Sequence, residues 1–134
     1  MSAWGTGIFE NEAAGAFALE VAEGGGVKAV EQAFDRVLSA GDAYLEAAPA
    51  EQALAAADIV VRMRGLPVPA TEYAATVDAW IAAARPEVSP DLREKAKRAI
   101  ARILTEPSQL LETWIEAGQY PAFASAVAAV SESL

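Results

Sequence analysis

The stretch SPDLREKAKRAIARIL, residues 89–104, reads as a helix on its own evidence. Ser89 is a capping side chain, Pro90 stands where the first helical N–H needs no partner, and Asp91 sets negative charge against the positive end of the helix dipole. Leu92, Ala96, Ile100, Ile103 and Leu104 then recur at helical spacing, so one stripe turns inward. Arg93, Lys95, Lys97, Arg98 and Arg102 supply five of the ten basic residues and fall mostly outside that stripe. The expectation for them is a solvated outer face.

The same period continues on either side. Toward the C-terminus, Ser108 is expected to cap a helix containing Leu110, Leu111, Trp114 and Ile115 that Gly118 closes. Pro121 then opens a last helix with Phe123, Val127, Val130 and Leu134 in register. Toward the N-terminus, a helix over 71–84 aligns Tyr73, Val77, Trp80, Ile81 and Ala84 and stops at Arg85-Pro86. Leu66-Pro67-Val68-Pro69 cannot continue a helix and is a linker. Before it, Pro49 opens a helix ending at Gly65, with Leu54, Ala57 and Val61, joined by Ile59 and Met63, inside, and residues 42–46 form a short helical turn carrying Tyr44 and Leu45. A helix over 27–40 carries Val27, Val30, Phe34, Val37 and Leu38, capped by Gly41. The first helix runs from its cap, Asn11, to Glu23 with Phe17 and Val21 on one face, and Gly24-Gly25-Gly26 ends it as an interhelix turn. No segment alternates with strand period. The fold expected is all-α: an irregular bundle of six or seven amphipathic helices, one domain over residues 1–134, with Trp80 and Trp114 as core anchors.

Composition narrows the function. Hydrophobic residues at 54% and charged residues at 22% of 134 supply enough apolar area to offset the entropy of ordering the chain. The segment Met1-Ser2-Ala3-Trp4-Gly5 carries neither the positive charge nor the apolar core of a secretory signal. The longest greasy run, residues 53–61, is interrupted by Asp58 and is shorter than a bilayer requires. With no cysteine, these features lead to the expectation of a cytoplasmic protein without a membrane span. A net charge of −9 repels phosphate backbones, so no nucleic acid is expected, and it favours a protein partner with a basic surface.

The absence of histidine removes serine-histidine triads, imidazole bases and His-bearing metal sites, and the absence of cysteine removes thiolate chemistry. Glu112 with Glu116, and Glu31 with Asp35, each set two carboxylates one turn apart, an arrangement that a solvated helix face explains. No calcium-loop spacing occurs, and Gly5-Thr6-Gly7 lacks the further residues of a phosphate loop. No catalytic residue, metal ligand or cofactor is assigned.

The remaining motif is Trp4-Gly5-Thr6-Gly7-Ile8-Phe9-Glu10-Asn11-Glu12, which combines two aromatics and two glycines ahead of the first helix. Residues 1–10 are expected to form a non-helical latch, the glycines letting Trp4 and Phe9 turn into the bundle. The alternative is a recognition surface built from the same groups: Trp4, Gly5, Gly7, Phe9, Glu10, Asn11 and Glu12. On these residues the chain resembles the family termed domain of unknown function 4259, whose members tend to open with Trp-Gly-x-Gly-x-Phe-acid-Asn-acid. Glutamate stands at both acidic positions here, where aspartate is the more frequent residue. The resemblance extends over Tyr44-Leu45-Glu46, the alanine-rich third helix and Leu111-Glu112-x-Trp114. It implies a small bacterial-type intracellular domain and brings no activity with it.

Two functional readings follow. The first is a non-enzymatic interaction module, of adaptor or immunity type, whose acidic surface meets a basic partner. The second is a small-molecule or metal-binding protein using Glu10, Asn11 and Glu12 with Trp4 as a wall.

Overall fold

In the computed structural model, which describes residues 12–65 and 72–134, every regular element is helical. The order is α1 (Glu12–Glu20), a wider π-type turn (Val21–Gly25), α2 (Gly26–Ser39), α3 (Ala47–Met63), α4 (Glu72–Ala84), α5 (Pro90–Ile103), α6 (Gln109–Glu116) and α7 (Tyr120–Glu132). The all-α expectation holds, with seven α-helices among the described residues. The linker 66–69 and the latch 1–10 lie outside them.

The interior is organised around α3, which buries 12 of its 17 residues. Reading an inner face from Leu54, Ala57, Val61, Ile59 and Met63 therefore understates this helix: Ala50, Ala53, Ala55, Ala56 and Val60 are buried as well, while Met63 is partly buried. A helix that is apolar nearly all round has to be surrounded, and α3 packs against each of the other six helices. Pro49 falls inside its first turn rather than at its start, where its missing N–H is still harmless. The neighbours contribute the bulk. Phe17 from α1, Phe34 from α2, Trp114 from α6 and Phe123 from α7 are all buried, and the last two rings stack with centroids 5.3 Å apart and planes 10° off parallel.

The expected end of the first helix shifts. α1 stops at Glu20, and the chain turns through an elbow in which the Gly26 N–H donates to the Val21 carbonyl. Gly24 has φ +147°, a conformation closed to side chains in practice. At Gly25 the constraint is contact, since a Cβ there would lie 2.8 Å from the Ala29 Cβ and 3.0 Å from the Glu20 carbonyl oxygen.

Three further expectations are corrected, for residues 42–46, Trp80 and Leu104; Ile115, for which no burial was predicted, is placed at the surface. Residues 42–46 form no helical turn: Leu45 is extended and makes an isolated parallel β-bridge with Ser108, its N–H donating to Pro107 and its carbonyl accepting from Gln109. Trp80 is only half-buried against the core, the fully buried positions of α4 being Ala74 and Val77, whereas Trp114 is 4% exposed. Ile115, one step round α6 from Trp114, is 50% exposed. Leu104, just past the end of α5, is only partly buried.

The two serines read as caps part company. Ser89 Oγ accepts from the Leu92 N–H at 3.0 Å, as the sequence implies. Ser108 occupies the capping position of α6 without a capping bond: its carbonyl accepts from the Glu112 N–H, but its Oγ is turned inside with no hydrogen-bond partner. Ser89→Ala is therefore expected to cost about 1 kcal/mol in urea unfolding. Ser108→Ala, which removes a buried hydroxyl that bonds to nothing, is expected to be neutral or stabilising. Equal losses for the two variants would contradict this distinction.

Candidate functional site

Of the N-terminal residues singled out by the sequence, Trp4, Gly5, Gly7, Phe9, Glu10 and Asn11 lie outside the described residues. Glu12 opens α1 and is exposed, its charge beside the helix N-terminus. The described residues put polar chemistry in three other places.

The first is inside. Asp58 and Arg62, one turn apart on α3, pair at 2.8 Å although both are buried, and the Arg62 guanidinium also reaches Asp78 of α4 at 3.3 Å. Two turns before Asp58 on the same side of α3, Glu51 is only 8% exposed and its Oε2 is buried with no hydrogen-bond partner. Burial raises the Glu51 carboxyl above its ordinary value of 4.5. Burial also raises Asp58, outweighing the opposing hydrogen bond and charge of Arg62, while Asp78 adds to the rise. The sequence signal for this pair was present in Asp58 interrupting an apolar run with Arg62 four residues on.

The second is the basic face of α5, and here the solvated reading is corrected. Lys95 bridges to Asp35 at 2.9 Å and Glu31 at 3.8 Å, so the carboxylate pair on α2 serves to hold α5. The hydrogen bond to Asp35 holds the Lys95 ammonium above its ordinary value. Arg93 donates to a main-chain oxygen of Leu134 at 2.6 and 3.0 Å. Arg102 donates to the carbonyls of Gly41, Ala43, Thr105 and Pro107 at 2.7–3.1 Å. Lys97 and Arg98 are exposed, as expected.

The third is the surface above the Leu45–Ser108 bridge. There the loop after α2 lies beside the start of α6, joined also by the Ala47 N–H donating to Gln109 Oε1 at 2.8 Å. This brings Tyr44, 52% exposed, close to the second carboxylate pair, Glu112 and Glu116. Partial desolvation of the Tyr44 hydroxyl, then the charges of Glu112, Glu116 and Glu46, raise its pKa, so it stays a neutral donor over the physiological range. Ile115 stands out from α6 between the two glutamates in sequence, adding an exposed apolar group to the same side. Sequence reading named Tyr44, Glu112 and Glu116 separately, but their meeting depends on a pairing across more than sixty residues.

Among the described residues, no group of three or more acidic side chains is arranged to hold a metal ion, and no helix is long and apolar enough to cross a membrane.

Fold and surface together define a small acidic helical bundle whose exposed aromatic is bordered by carboxylates. The chain belongs to the family described as a domain of unknown function, DUF4259, which matches residues 2–126. No curated protein and no solved structure matches it.

The internal carboxyls give a stability test. A carboxyl whose pKa is raised by folding binds its proton more tightly in the native state than in the unfolded one. Its contribution is thus fully present below the ordinary value of 4.5 and is lost as pH rises through the higher folded value. Glu51→Gln removes this titration, so the variant is expected to gain stability relative to the parent as pH rises above the ordinary value of 4.5. Denaturant melts at a series of pH values measure the difference. A constant gap across the series would show that burial does not raise the Glu51 carboxyl.

Proposed function

We propose that this protein is a non-enzymatic interaction module, of adaptor or immunity type, acting in the bacterial cytoplasm on a protein partner with a basic surface. The observation that carries the reading is Tyr44, a half-exposed aromatic set among Glu46, Glu112 and Glu116 with Ile115 alongside. An aromatic ring gives a partner's arginine or lysine stem something to pack on and its charge a π-face, and the carboxylates accept its N–H groups. Tyrosine is also among the residue types that most often dominate interface energies, because it offers a large rigid surface at little entropic cost. The net charge of −9 supports the same reading at longer range, since it steers a basic partner and raises the encounter rate.

The lack of histidine and cysteine supports a binding role over acid–base or thiolate catalysis. The lack of cysteine also suits a reducing compartment. The sequence-based alternative, a ligand site at Glu10, Asn11 and Glu12, gains no observation from the described residues.

Affinity capture from the native host with parent and variant baits tests the proposal. Tyr44→Ala is expected to weaken the specific partner by about 2 kcal/mol, roughly thirtyfold. Glu112→Gln with Glu116→Gln is expected to slow association and flatten its salt dependence, while Lys97→Ala leaves capture unchanged. Identical capture by the parent and Tyr44→Ala baits would remove this face from consideration.

A further inference from the structure

The loops that present Tyr44 and lead into α6 are tied together from behind by one side chain. Arg102 Nε donates to Gly41 at 2.8 Å and Nη2 to Ala43 at 2.7 Å, both in the loop after α2. Nη1 donates to Thr105 at 2.8 Å and Nη2 also to Pro107 at 3.1 Å, both in the loop after α5. The Pro107 carbonyl accepts in addition from the Leu45 N–H, so the guanidinium and the β-bridge share an acceptor. Thr105 reinforces its own loop by donating from its hydroxyl to Ala101. The flat guanidinium carries five N–H groups in a fixed fork, which is what reaching four carbonyls on two loops requires. A lysine ammonium concentrates three donors on one nitrogen and cannot span them.

We infer that Arg102 is the positioning residue of the Tyr44 face, fixing the register between Tyr44 on one loop and Glu112 and Glu116 on the helix that follows the other. It holds the face in its bound geometry beforehand, so a partner's affinity depends on a residue that the partner does not touch. This rests on the reading of that face as the docking surface. Charge alone would not give Arg102 such a role, since exposed Lys97 and Arg98 on the same helix carry the same charge.

The test uses the whole chain as parent, Arg102→Lys, Tyr44→Ala and the double variant, with an alternating arginine–glycine peptide as the basic probe. In Arg102→Lys, hydrogen exchange at the Leu45 and Gln109 amides is expected to rise about tenfold, with Ile59 and Val60 of α3 held within about twofold. Affinity for the peptide is expected to fall about tenfold in each single variant and little further in the double variant, because both changes remove the same ordered ring. If the lysine variant also loses protection at Ile59, Arg102→Gln takes its place in the same comparison. Unchanged exchange at Leu45 and Gln109 overturns the clamp. Unchanged affinity in Arg102→Lys, beside a loss in Tyr44→Ala, overturns its role in docking. Peptide binding insensitive to Tyr44→Ala overturns the docking reading and the affinity half of the inference with it, while the exchange result separately decides the clamp.

Discussion

The alanines of α3 fix how the other helices are arranged. Ala50, Ala53, Ala55, Ala56 and Ala57 are buried on different sides of one helix, and a methyl group lets a neighbouring axis come close. α3 itself adds Leu54, Ile59, Val60 and Val61 to the core, and the space left beside its alanines has to be filled from outside inward. Phe17, Phe34, Trp114 and Phe123 do this from four different helices. Small residues at the hub and aromatics at the rim are two halves of one packing solution, because a larger side chain on α3 would displace a ring opposite it.

Against that apolar hub the charged groups stand out. Desolvating Asp58 and Arg62 is costly, and apolar residues of the same volume would serve stability at least as well. What a charged pair adds is direction. Arg62 extends to Asp78 on α4, a helix whose many alanines offer few distinctive shapes to set its position. Lys95 plays a comparable part at the surface between α2 and α5, in water and with correspondingly less energy.

Much of this was legible in the chain, and what was not has identifiable causes. Ser89, Pro90 and Asp91 announce α5 because capping is local, and the α2 stripe of Val30, Phe34 and Val37 is likewise read within one segment. Local patterns fail where the deciding partner is distant. Leu45 looks helical until Ser108 is beside it, and Arg102 looks like one more surface cation because its acceptors are main-chain carbonyls, which leave no mark in a sequence. Trp80 and Trp114 have equivalent patterns, yet on α4 the fully buried positions are Ala74 and Val77 and Trp80 is only half-buried, whereas Trp114 is buried and stacks on Phe123 of α7. For the candidate surface, Glu112 and Glu116 were visible as a pair and Tyr44 as an aromatic of the segment ahead of α3. Their juxtaposition was not visible, since it is made by tertiary structure alone.

The contact between Ala47 and Gln109 spans 62 residues, with α3, α4 and α5 between its ends. Bringing such remote points together is entropically unfavourable until the intervening helices have already folded the path between them. The Tyr44 surface consequently belongs to the finished molecule: a nascent chain still short of α6 has the tyrosine and Glu46 but neither Glu112 nor Glu116. The surface in its complete form is thus available only once the last third of the chain has folded back onto the first.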